Sequence, residues 1–123
     1  MPAIAPGQRY PDSNAWVDLN DLLTGTWNAT ASTRYFKAMG DGNTATLIGS
    51  LVIGDSPEIC TLPPEFCSNA TLTFPAFIRD FGTVELQMFG AGRFFVPSFA
   101  WPGPEAVAGK ILIFTYSYQR KAI

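Results

Sequence analysis

The 123-residue sequence contains no histidine. That removes Ser-His-Asp and Cys-His catalysis, and any histidine-ligated metal centre, from this chain. Cysteine occurs twice, at Cys60 and Cys67; two thiols with no histidine cannot complete a four-ligand zinc site within one chain. Charge is sparse, at 15% of residues, with a formal net charge of −2. The basic residues Arg9, Arg34, Lys37, Arg79, Arg93 and Lys110 are scattered, and only Arg120-Lys121 are adjacent. Without a phosphate-tracking stripe, nucleic-acid binding is disfavoured. No apolar run reaches the roughly 20 residues a helix needs to cross a bilayer, so membrane insertion is not expected. Residues 1–14, MPAIAPGQRYPDSN, lack the charged-then-apolar pattern of a secretory leader. Beginning at Met, the chain reads as a complete gene product.

What the chain has is apolar and aromatic residues. Hydrophobic residues make up 47%, with ten Phe, four Tyr and three Trp beside ten Pro and eleven Gly. This mixture favours strands and turns over helices, and the length suits one domain. The apolar share is high for so small a core, which points to burial against other chains.

The organising stretch is Ile59 to Phe77, ICTLPPEFCSNATLTFPAF. Pro63-Pro64 excludes helix and regular pairing, because neither proline has an N–H. Leu72, Phe74, Ala76 and Ile78 then alternate with Thr71, Thr73, Phe77 and Arg79, the pattern of a strand with one strongly apolar face. Upstream, Pro2, Pro6, Pro11 and Gly7 make residues 1–14 an extended arm, either a loose terminus or a segment laid on a neighbouring subunit through Ile4 and Tyr10. The region around Trp16, Val17, Leu19, Leu22 and Leu23 reads as coil with at most one helical turn. Thr33 to Met39 and Thr44 to Ile53 are strands joined at Gly40-Asp41-Gly42-Asn43, a strong hairpin signal. Val84, Leu86 and Met88 mark a half-exposed strand, and Gly90-Ala91-Gly92 turns it into a strand over Arg93 to Phe99. Trp101-Pro-Gly-Pro breaks that strand. The last strand runs from Lys110 to Tyr118. The expected architecture is all-β: an antiparallel, jelly-roll-like β-sandwich of six to seven strands over 15–123, behind the arm.

No catalytic constellation emerges, and no cofactor motif. Gly90-Ala91-Gly92 is explained as a turn. The carboxylates fall mostly in turns and strand ends with no sign of the pairing that glycoside hydrolysis needs. Asp12, Asn14, Asp18, Asn20 and Asp21 do not match a calcium loop, and the Asn28 and Asn69 sequons are common tripeptides. The expectation is therefore a non-enzymatic protein without metal or cofactor. Cys60 and Cys67 either bridge across TLPPEF or remain buried free thiols. Phe94, Phe95, Phe99, Tyr116 and Tyr118 either fill the core or line a subunit interface.

Several short motifs occur in a suggestive order. They are Trp16 with Leu19, Leu22 and Leu23, a strand with Tyr35 before a Gly-containing turn, a strand ending in Gly, the Thr61-Leu62-Pro63 loop and a strand bearing Phe74-Pro75. In this the chain resembles, from Ala15 to Tyr118, the small C-terminal β-sandwich modules of tailed-phage fibres and other tail-tip, receptor-binding proteins. The resemblance implies a virion protein, in the tail rather than the head, that assembles as a homotrimer with other virion structural proteins and contacts a host-surface glycan. Capsid decoration and a free carbohydrate-binding module are the alternative roles. Such modules, by the same resemblance, touch glycans through loops distal to the anchor. Here these would be Asp80 to Gly82 and Phe99 to Glu105, with Trp101 as a stacking face and Asp80 and Glu105 as acceptors for hydroxyls. Trp101 also has a packing alternative, in the core or at a trimer contact.

Overall fold

In a computed structural model, residues 15–29 and 34–122 are described; the arm, with Ile4 and Tyr10, lies outside them. The elements in chain order are β1 (Val17–Asp18), β2 (Tyr35–Asp41), β3 (Thr44–Val52), β4 (Glu58–Thr61), β5 (Leu72–Ile78), β6 (Gly82–Met88), β7 (Arg93–Phe95), α1 (Pro104–Val107) and β8 (Ile111–Gln119). Single 3-10 turns occupy Asn20–Leu22 and Pro64–Phe66. All eight strands join one antiparallel sheet in the order β1-β2-β3-β8-β5-β6-β7-β4. The count exceeds the six to seven expected, and the two strands not foreseen are β1 and β4. The expected strand from Arg93 to Phe99 also ends early: β7 stops at Phe95, just before Pro97, which has no N–H to extend a ladder.

The sheet curls into a half-barrel. On a flat sheet β2 and β7 would lie roughly 24 Å apart, five spacings of about 4.8 Å. Yet the rings of Phe36 on β2 and Phe94 on β7 stack with centroids 6.1 Å apart. Phe74 on β5 and Phe114 on β8 complete the cluster, at 6.0 and 5.5 Å from Phe94. These four rings are buried and lie on alternating inward positions of their strands, so period-2 patterning produces the core. The same alternation puts Leu47, Leu51, Ile78, Leu86 and Leu112 inside. Gly49 faces Phe114 across the β3–β8 ladder, where an added Cβ would meet the ring at 2.5 Å. The missing side chain makes room for the aromatic.

The β2–β3 hairpin closes on Gly42-Asn43, with Asp41 opposite Thr44 and Gly42 at φ 60°, as the sequence signal implies. Beneath it Arg120 is 2% exposed. Its Nε donates to Gly42 O at 2.8 Å and its Nη1 to Glu65 O at 3.2 Å. Tyr118 Oη donates to Phe66 O at 2.6 Å. The proline corner is thus held by side chains at the end of β8 and just beyond it that bond its carbonyls, since Pro63-Pro64 offers no N–H of its own.

Candidate ligand-contact surface

β5 and β8 lie side by side, but their ladder is short. It pairs Ile78 with Leu112 and Phe77 with Ile113, then stops. The cause lies in the sequence. Arg79 N donates to Ile111 O, so by the alternation of strand backbones Phe77 and Pro75 also face β8. Pro75 has no N–H to give, and the ladder ends there. The strands meet again where Ser68 bridges Arg120. From Phe77 back to Ser68 is nine residues, whereas from Ile113 on to Arg120 is seven, so two residues bulge out on the β5 side.

A shallow depression of about 390 Å³ opens at this seam on the outer face of the sheet. Pro75, Phe77, Ile113, Thr83 and Thr115 line it. Phe77 is 51% exposed, and Thr115 is exposed as well. None of the lining residues is charged.

Two other exposed groups stand on this face. Lys37 places Nζ 5.0 Å from the Trp16 ring and 5.4 Å from that of Tyr35, a cation held over two exposed aromatics. Farther round, Arg93 forks onto Glu58 through a salt bridge and stacks 3.8 Å over Phe95.

The residues singled out from sequence divide sharply. Asp80 sits exposed at the tip of the β5–β6 turn, at φ 63°, and Phe81 beside it is 47% exposed. Glu105 is exposed on α1. Trp101 is half-buried and packs against the core, so much of its ring is not free to stack on a ligand. The turn at Asp80 and the segment 97–110 lie at the same end of the sheet, because Arg79 N reaches Ile111 O and Ile53 N reaches Lys110 O. The described chain begins away from that end: Val17 pairs with Ala38 and Asp18 with Lys37, so β1 starts on the side nearer the Gly42-Asn43 turn.

Of the five aromatics expected either in the core or at an interface, Phe94 and Tyr118 are buried in the chain's own core, whereas Phe95 is covered on the outer face by Phe89 and the Arg93 guanidinium. Phe94 and Tyr118 therefore pack within the chain itself, as the core alternative has it. Tyr116 is half-buried and stacks on Phe74 at 3.7 Å. Phe99 alone of the five projects outward, at 72% exposed.

Cys60 and Cys67 are buried free thiols, not a bridge. Cys60 lies on β4 opposite Phe94, and burial pushes its pKa up to about 12. Cys67 Sγ lies 3.5 Å from Pro63 O and 3.8 Å from Leu62 O. Burial raises its pKa, partly offset by Lys121. A thiol with a raised pKa is a poor nucleophile. Among the described residues no group of three or more Cys, Asp or Glu stands close enough to hold a metal ion.

Sequence reasoning missed the seam. The available signal was Phe77, the one large apolar residue on the otherwise polar face of its strand, two residues after Pro75.

No family model matches the sequence, and no curated protein matches it. Among solved structures, the chain is similar to the head domain of phage bIL170, described with the receptor binding domains of lactococcal phages. The TM-score is 0.60 at 19% identity, covering 87% of this chain and 98% of that one. At that identity the likeness is one of fold.

Proposed function

We propose that this protein is a host-attachment module of a tailed-phage virion, a structural rather than catalytic component carried at the tail tip or fibre. The observation that supports the reading best is the shared fold with a phage receptor-binding head domain over almost all of that domain. The exposed aromatics support it too, because Phe77, Phe81, Phe99 and Trp16 stay outside although the chain has a filled core of its own. We read the architecture as jelly-roll-like, with Phe36 and Phe94 marking two layers of the curled sheet.

In this reading the module works as a homotrimer bound to other virion proteins, and it contacts a host-surface glycan. The end bearing Asp80, Phe81, Phe99 and Glu105 lies away from the start of the described chain and faces the cell. Three weak contacts on one particle raise avidity through effective concentration. Immunogold labelling of intact particles tests the placement. Gold at the tail tip is the expected result; gold spread over the head would mark a decoration protein, and none on particles would remove the virion assignment. Sedimentation tests the trimer, against which a stable monomer at high concentration would count.

A further inference from the structure

The depression between β5 and β8 combines three features that define a ligand. One wall is apolar: Phe77, with Pro75 and Ile113 beside it. An exposed aromatic face of this kind suits the C–H face of a sugar ring. The rim is polar but neutral. Thr83 and Thr115 carry hydroxyls that both donate and accept. The main-chain groups of Thr115 and Ser117 face β5 by the alternation that aims Ile111 O and Gln119 O that way, and they take no part in the ladder that ends at Ile113. The third feature is charge. No lining residue is charged, and the flanking charges on this face are of both signs, with Glu85 opposite Pro75 and Arg79 two residues beyond Phe77. Lys37 shares a row with Ile48 and Thr115, but its ammonium lies over the rings of Trp16 and Tyr35. At 390 Å³ the depression falls at the small end of ligand sites, about 300–1,000 Å³.

We propose that this depression binds one uncharged pyranose ring, stacked on Phe77 and hydrogen-bonded to Thr83 and Thr115. The proposal rests on the host-attachment reading for its biological meaning. It moves the contact from the loops at the sheet's end to the sheet face, and the physical origin of the site is the proline that interrupts the ladder. Charge on the surrounding face is mixed, because Glu85 lies opposite Pro75 and the exposed Arg79 lies two residues beyond Phe77 on the same strand face.

The test is an amide-resolved NMR titration of the full chain with methyl glucoside, methyl N-acetylglucosaminide and methyl rhamnoside. At least one neutral sugar should give saturable shifts centred on Ala76, Phe77, Thr83 and Ile113 to Ser117, with a Kd of about 1 mM. Phe77→Ala removes an exposed ring and should fold normally while losing at least tenfold in affinity. Thr115→Val, at equal volume, should also weaken binding with an unchanged fold. No seam shift with any neutral sugar, or shifts confined to 79–81 and 97–105, would overturn the proposal. Binding to host cells is measured in parallel. Phe77→Ala that binds cells like wild type, with no sugar at the seam, sinks this site and leaves attachment standing. Sugar at the seam with no cell binding does the reverse.

Discussion

Replacing Gly40 by alanine should destabilise the fold by about 3–5 kcal/mol, the usual cost of disrupting a buried charge's partners. A Cβ built there overlaps Arg120 Nη1 and lies 2.5 Å from Cζ and 2.9 Å from Nη2. On an ordinary surface the tip of an arginine would swing aside. This guanidinium is 2% exposed, and the Nε bond to Gly42 O and the Nη1 bond to Glu65 O tie it down. Moving it breaks charge-assisted bonds, each contributing about 1.5–3 kcal/mol, and leaves their carbonyls without a donor. The intrinsic gain of about 0.5–1 kcal/mol from giving a strand glycine a side chain is too small to compensate. Urea unfolding at neutral pH measures the difference, with an unchanged m-value showing that the transition itself is the same. In the double variant Gly40→Ala with Arg120→Met, the two losses should fall short of additivity by more than 1 kcal/mol, as expected for residues in contact. A Gly40→Ala protein within about 0.5 kcal/mol of wild type, the range of an ordinary surface change, would refute the argument that Arg120 clasps the hairpin to the proline corner.

Other predictions follow from the same structure. Tyr118→Phe removes the 2.6 Å bond to Phe66 O and should cost about 1–3 kcal/mol in chemical denaturation, because the carbonyl is left buried without its donor; no change would show that another donor takes over. Cys60 has an ordinary pKa of 9.0 and a folded value of about 12. Unfolded protein therefore loses this proton first, and stability should fall as pH rises from about 9 toward 12. Cys60→Ala should make that alkaline limb shallower in urea titrations across the window, with the raised Tyr118 and Cys67 supplying the remainder, and an unaltered slope would count against the buried thiol. Pro75→Val restores an N–H facing β8. The new amide should gain protection in hydrogen exchange as the ladder lengthens past Phe77, and a freely exchanging Val amide would show that the bulge has another cause.

Much of the fold can be read from local patterns. The alternation from Leu72 to Ile78, the Gly42-Asn43 turn and the two-faced run from Thr44 all express a side-chain period of two, which burial on one face enforces. β4 was not legible, because four residues beside a double proline carry no period, and their strand character comes from distant pairing with β7. The two residues of β1 likewise owe their strand character to β2. Phe94 and Phe99 look alike in sequence, yet one is fully buried and the other is 72% exposed. Pro97 between them ends the strand and so the alternation that would have related the two. The seam needed knowledge of which strand lies beside Pro75, a long-range fact that no local pattern holds.

The central claim is that this domain recognises a host surface. The direct measurement is adsorption of particles to their bacterial host in the presence of purified domain. The account predicts dose-dependent loss of adsorption with wild-type protein, and weaker inhibition by Phe77→Ala at equal folding and concentration. Undiminished adsorption at saturating domain, together with no binding of the domain to the host cells, would contradict it.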